Sequence, residues 1–197
     1  MPVMSAVERA FCRSAPWRVV ARRVVLPWAL DGYDLTGDVL EIGSGSGAMA
    51  EGLAATFPAV RLTVTDIDEA MVASARRRLA RRSNITAEQA DVTALPFPSA
   101  SFDAVTSYLM LHHVISWREA LRECARVLRP GGMFLGYDLT DTRVARMTHR
   151  IDGSPHRILG PKELRAGLLE AGFTQAVVDT SAGGHLMRFR AETAGDS

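Results

Sequence analysis

A carboxylate, Glu41, stands just ahead of a glycine-rich stretch in the run Val39-Leu40-Glu41-Ile42-Gly43-Ser44-Gly45-Ser46-Gly47. Glycines at 43, 45 and 47 let the backbone turn tightly and bring its amides against a ligand, because no Cβ blocks the approach. Residues 48–57 then open a helix, with Met49, Leu53 and Phe57 spaced along one face. Strand, glycine turn and helix N-terminus together make a positive, donor-rich edge. Gly43, Gly45 and Ala48 also satisfy the loose dinucleotide pattern G-x-G-x-x-G/A. Glu41 weighs against a pyrophosphate at that turn and suits a ligand carrying an ammonium or sulfonium. Asp66 follows about twenty residues later, where a doubly wound fold holds a ribose hydroxyl pair.

Other reactive side chains are sparser. His112 and His113 form a pair that invites a general-base role, and the alternative is that one packs while the other is solvated. No acid within that local motif is placed to orient either imidazole. His149, His156 and His185 stand apart, and no local set has metal-ligand spacing. Cys12 and Cys124 make no disulfide framework, which fits a reducing compartment, and Cys124 reads as core. Arg76, Arg77, Arg78, Arg81 and Arg82 crowd one helix. With a formal net charge of only +1 they read as a solvated face rather than a nucleic-acid patch.

The elements that must position these groups follow from periodicity. The chain of 197 residues, 47% apolar and 23% charged, fits one globular domain with a sizeable core. Ser5 and Glu8 have capping-box spacing. A helix runs over about 16–30 and is expected to kink or end at Pro27. Strands fall at 39–42, 61–66, 84–89, 104–108, 133–137, 176–179 and 186–190. Asp68 is placed to cap the helix carrying Met71, Ala75 and Leu79. Ser116 and Glu119 have capping-box spacing before a helix with Trp117, Ala120, Leu121, Cys124, Val127 and Leu128 on its buried stripe. Pro161 starts the last helix and Gly172 follows its end. Alternating strands and helices predict a doubly wound, Rossmann-like α/β fold with a seven-stranded, mostly parallel sheet. The short link at 180–185 makes the last strand antiparallel.

Residues 39–134 resemble the class I S-adenosylmethionine-dependent methyltransferases, in the small ubiquinone-biosynthesis-like branch. Four matches in order carry the resemblance: the glycine run, Val64-Thr65-Asp66-Ile67-Asp68 with Met71 following, Ala90-Asp91-Val92 with Leu95-Pro96-Phe97 and Ser101-Phe102-Asp103, and Arg126-Val127-Leu128-Arg129-Pro130-Gly131-Gly132. The resemblance implies S-adenosylmethionine as cofactor. Its methionine end would lie over Glu41, Gly43, Ser44, Gly45 and Gly47, with Glu41 on the ammonium. Asp66 would take the ribose hydroxyls, Ile67 would lie on one adenine face, Asp91 would accept from the adenine amine, and the Val92 amide would read a ring nitrogen; Met71 stands among the cofactor-binding positions, although a methionine there is more often core. Ser107 and the turn after it would pass the methyl group, with His112 as candidate base.

The implied function is methyl transfer to a small-molecule, partly apolar acceptor. Leu109, Met110, Leu111, Met147, Ile151 and Ile158 offer an apolar wall, with Phe11, Cys12, Arg13, Ser14 and Trp17 closing the other side. The expected layout is a single domain over 1–197: a helical cap over 1–36, a cofactor-binding core over 37–137, a lid over 138–160, and a closing helix with two strands over 161–197. Neither a nucleic acid nor a membrane partner is expected. A cytoplasmic monomer or homodimer without a metal fits the composition. Two other classes stand beside this reading: a non-catalytic S-adenosylmethionine-binding module and a nicotinamide-dependent oxidoreductase.

Overall fold

Short β-branched and apolar runs separated by helices build a sheet that only crossover connections can join in parallel. The computed structural model describes residues 19–143, 156–181 and 183–195. The strands are β1 (Asp38–Ile42), β2 (Arg61–Asp66), β3 (Ile85–Gln89), β4 (Phe102–Tyr108), β5 (Leu128–Leu139), β6 (Phe173–Thr180) and β7 (Leu186–Thr193). The helices are α1 (Leu26–Leu30), α2 (Ala48–Thr56), α3 (Glu69–Leu79), α4 (Trp117–Val127) and α5 (Pro161–Glu170). Sheet order is β3-β2-β1-β4-β5-β7-β6, with β7 antiparallel to both neighbours, as the sequence predicts. The order reverses beside β1, and the carboxyl ends of β1, β2 and β4 meet on one edge. That crevice is where a doubly wound sheet takes a ligand.

Both faces of β1 and β4 are buried, so their sequences read as nearly continuous apolar runs. Leu40, Ile42 and Val105 pack with Trp117, Leu121 and Cys124 of α4 on one face. Val39, Ala104 and Leu135 pack with Leu26, Leu53 and Leu79 on the other. Cys124 is fully buried, as its place in the apolar stripe requires.

Several local expectations are corrected. Of the two outcomes expected at Pro27, it does not end the helix, which runs on to Leu30 as α1; a π-helical turn over Ala21–Val25 directly precedes it. Ser116 makes no side-chain cap bond, whereas Asp68 accepts from the Ala70 amide at 2.8 Å. β5 begins at Leu128, before the Pro130-Gly131-Gly132 segment, and a register shift against β4 absorbs that segment. Asp103 and Arg129, which stand in the conspicuous sequence motifs, serve the opposite end of the sheet. Arg129 bridges Asp103 at 2.8 Å and Asp38 at 3.1 Å, and Asp38 also holds Arg61. These two guanidiniums hold the Asp38 carboxyl below its ordinary range, with the Arg61 hydrogen bond the largest cause.

Candidate active site

β1 delivers Glu41 into the crevice almost completely buried, at 1% exposure. Its Oε2 has no hydrogen-bond partner among the described residues. Burial first, and the Asp66 carboxylate second, push its pKa up to about 8. A buried carboxyl in that state is costly to ionise until a cation arrives to pair with it. Tyr108 shares the field: burial, then the Glu41 charge, hold its phenol well above the ordinary value.

The glycine turn adopts left-handed backbone at Gly43 (φ 60°), Gly45 (φ 54°) and Gly47 (φ 77°). The Ser44 amide donates to the Thr65 carbonyl at 2.8 Å, which ties the turn to β2. A Cβ on Gly43 would lie 2.6–2.8 Å from the Met110 side chain, whereas one on Gly45 would meet nothing within 4 Å. The turn is therefore packed against the segment following β4 and open at its tip. That combination fits a ligand laid along the turn, and the unpartnered Glu41 oxygen fits its ammonium.

Asp66, at the end of β2, accepts from the Gly45 amide at 2.8 Å and the Asp68 amide at 2.9 Å, one bond on each oxygen. Burial raises its pKa, and those two amides oppose the rise. Each oxygen keeps a lone pair for a ribose hydroxyl. The sequence leaves Asp66 as a ligand residue or a helix-start residue; the structure shows that it pins the glycine turn. Ile67 is half-buried beside it. Met71 is 5% exposed on the inward face of α3, a core position. Asp91 accepts from the Thr93 amide and hydroxyl at 2.8 and 2.7 Å, both on Oδ1. Val92 is buried with Leu95 and Phe102.

Ser107 lies opposite Ile42 in the sheet, fully buried, its hydroxyl without a partner among the described residues. Leu109 then takes φ 55°, with its amide held by the Tyr137 carbonyl at 2.8 Å. Positive φ at a bulky residue is strained, and such strain collects at ligand sites. It turns the chain so that Met110 covers Gly43 and a 3₁₀ turn over Leu111–His113 follows. Leu111 packs into the core rather than lining an acceptor wall.

No acid stands beside the histidines in the local motif, yet one reaches them from another strand. Asp138, at the end of β5, faces His112 Nδ1 at 2.5 Å through Oδ1, and its Oδ2 accepts from the His112 amide at 3.1 Å. The Leu139 amide also donates to Oδ1 at 2.6 Å. Both side chains are buried, and the His113 ring lies 4.0 Å from that of His112. The available signal was topological: the carboxyl end of a strand beside β4 must reach the same crevice.

Three of the crowded arginines engage their own fold. Arg76 donates to the Ala87 carbonyl, Arg78 reaches Ser46 and Glu51 beneath the glycine turn, and Arg82 reaches the Ala54 carbonyl. Among the described residues no group of His, Cys, Asp and Glu could hold a metal, and no helix is long and apolar enough to cross a membrane. Ser5, Glu8, Phe11, Cys12, Arg13, Ser14, Trp17, Met147, His149 and Ile151 lie outside the described residues, as does much of the expected lid.

The family described as a methyltransferase domain matches residues 40–136. A demethylmenaquinone methyltransferase of Clavibacter sepedonicus is 38% identical over 116 residues, 59% of this chain and 44% of the relative. A probable S-adenosylmethionine-dependent methyltransferase of Mycobacterium tuberculosis is 34% identical over 144 residues, 72% of this chain and 50% of the relative. The chain thus spans about half the length of the curated relatives it matches. Among solved structures, a complex of the Haloferax volcanii Trm112 methyltransferase activator with a methyltransferase superposes with a TM-score of 0.80 at 18% identity. It covers 98% of this chain and 99% of that chain, a likeness of fold. The glycine turn, the acids closing β1 and β2, the strand order and these matches agree: residues 40–136 form a methyltransferase domain of the S-adenosylmethionine-dependent class, similar to methyltransferases named for menaquinone biosynthesis.

Proposed function

We propose that this chain transfers a methyl group from S-adenosylmethionine to a small, partly apolar acceptor carrying a hydroxylated aromatic ring. The observation that carries the cofactor reading is Glu41, a buried carboxyl with an unpartnered oxygen beside an open glycine turn. When bound, the cofactor supplies an already activated sulfonium methyl group. The protein's part is orientation and exclusion of water, which can account for most of the acceleration. Glu41 holds the ammonium, the turn at Gly43, Ser44, Gly45 and Gly47 follows the methionine end, and Asp66 takes the ribose. Ile67, Asp91 and Val92 border the adenine, and Ser107 lies by the methyl group, near His112.

The acceptor class is supported by the name of the Clavibacter sepedonicus relative, a demethylmenaquinone methyltransferase. Half-buried Leu109 and Met110 and the buried Ile158 supply apolar surface for it. Reduced demethylmenaquinone should therefore gain one methyl mass when incubated with the protein and S-adenosylmethionine. Tight cofactor binding with no methylated product from that quinol or from 1,4-naphthohydroquinone would remove this acceptor class.

Asp66→Ala should weaken cofactor binding by about 1.5–3 kcal/mol, the scale of hydrogen bonds to a charged group. Because the Gly45 and Asp68 amides also lose their acceptor, the free protein should lose about 1 kcal/mol of stability. Calorimetry and thermal melts check the two halves separately. An unchanged dissociation constant would leave Asp66 only as a brace for the turn.

A further inference from the structure

The methionine end of the cofactor carries an ammonium and a carboxylate on one carbon, and Glu41 answers only the first. The glycine turn has already spent much of its donor capacity. Its Ser44 amide donates to the Thr65 carbonyl, its Gly45 amide to Asp66 and its Gly47 amide to the Ser44 carbonyl. Tyr108, the last residue of β4, is 7% exposed, and its hydroxyl has no partner among the described residues. A buried donor left unpaired is costly, and its persistence calls for a ligand that pairs with it. Glu41 stands opposite Thr106 in the sheet, so Tyr108 lies on the same face, one strand over and about 6.6 Å nearer the carboxyl edge. Asp66 closes β2, Glu41 lies near the end of β1, and β4 is the next strand in order. A ligand with its ribose at Asp66 and its ammonium at Glu41 therefore brings its carboxylate toward the end of β4. The Tyr108 ring is braced there by Tyr137 at 5.9 Å, and Trp28 of α1 meets Tyr137 edge-on at 6.1 Å.

We infer that the Tyr108 hydroxyl donates to the carboxylate at the methionine end of S-adenosylmethionine, so that Glu41 and Tyr108 together read an α-amino-acid zwitterion. This role rests on the methyl-transfer reading and names the residue that holds the carboxylate. A neutral phenol suits the place. A lysine or arginine there would pair with Glu41 and compete with the incoming ammonium, whereas a phenol donates without bringing charge. Burial, then the Glu41 charge, keep the phenol protonated, against a smaller opposing effect of Thr106. The Thr106 hydroxyl itself donates to the Leu40 carbonyl at 3.4 Å. Methyl transfer leaves the amino-acid end of the cofactor unchanged, so Tyr108 holds substrate and demethylated product alike. Its contribution is uniform binding, which lowers KM without raising kcat.

Calorimetric titration of the full chain and of Tyr108→Phe tests this with three ligands: S-adenosylmethionine, S-adenosylhomocysteine and decarboxylated S-adenosylmethionine. The third keeps the ammonium and the sulfonium but has no carboxylate. Tyr108→Phe should weaken the first two by about 10-fold or more and leave the third within about twofold. Phenylalanine keeps the ring against Tyr137, and the hydroxyl has no partner to lose, so the empty variant should melt no lower than the wild type. A variant that melts well below the wild type would show the hydroxyl bonded within the fold and overturns the inference. So does unchanged affinity for S-adenosylmethionine and S-adenosylhomocysteine. An equal loss for all three ligands overturns it too, because Tyr108 would then only shape the pocket. Those results leave the methyl-transfer reading standing. A wild type that binds neither S-adenosylmethionine nor S-adenosylhomocysteine overturns that reading and the role of Tyr108 with it.

Discussion

Glu41→Gln should stabilise the empty protein at alkaline pH and, in the same stroke, remove most of its affinity for S-adenosylmethionine. Burial and Asp66 raise the Glu41 pKa to about 8. Between the ordinary carboxyl range and about 8, the folded protein keeps a proton that the unfolded chain has released. Stability therefore falls as pH rises through that window, by up to about 1.4 kcal/mol per pH unit, and levels off above it. Glutamine cannot ionise, so the difference in stability between variant and parent should grow with pH across the same window.

Binding runs the other way. An ammonium needs the ionised carboxylate, so cofactor binding below pH 8 must expel the Glu41 proton. Wild-type affinity should rise with pH toward about 8 and fall once the ligand's own ammonium loses its proton, and nearly one proton should be released at neutral pH. Glutamine loses the charge-assisted bond, worth about 1.5–3 kcal/mol or roughly 10- to 100-fold, most visibly near pH 8. Titrations in buffers of different ionisation heat measure the proton count. Equal proton release by parent and Glu41→Gln would assign the proton elsewhere.

Gly43→Ala is the second large effect. A methyl there meets Met110 Cε, Cγ and Cβ at 2.6, 2.7 and 2.8 Å while the backbone sits at φ 60°. Gly45→Ala carries the backbone strain without the collision, since nothing lies within 4 Å of its Cβ. Gly45→Ala should cost the free protein about 1 kcal/mol, the left-handed penalty. Gly43→Ala should cost about 2–3 kcal/mol more, because the Met110 side chain and the strained turn from Leu109 must shift. Methyl transfer should fall further than stability, since the same turn carries His112. Adding Met110→Ala should recover part of the loss, a coupling that a double-mutant cycle reads directly. Equal melting temperatures for the two alanine variants would mean that Met110 does not brace the turn.

Local signals in the sequence reached the glycine turn and the acids that close β1 and β2. The glycine spacing, the acid before it and the acid closing β2 are local patterns, and backbone sterics give them local consequences. Asp68 as helix cap and Gly172 after α5 were legible for the same reason. The mostly parallel sheet with an antiparallel last strand followed from alternation of elements and one short link. What escaped depends on contacts across elements. Asp138 lies 26 residues from His112 and meets it only because β5 pairs with β4, so no local window shows the pair. Ser116 has the spacing of a cap, yet it makes no side-chain cap bond. Asp66 shows both cases: its place was legible, while its second task of pinning Gly45 was not.

Calorimetric titration of the full chain with S-adenosylmethionine and with its demethylated product, S-adenosylhomocysteine, tests the central claim most directly. Saturable one-to-one binding of both in the micromolar range is predicted, with loss of binding in Glu41→Gln and Asp66→Ala. No heat and no thermal shift with either compound, together with saturable binding of a nicotinamide dinucleotide, would contradict it.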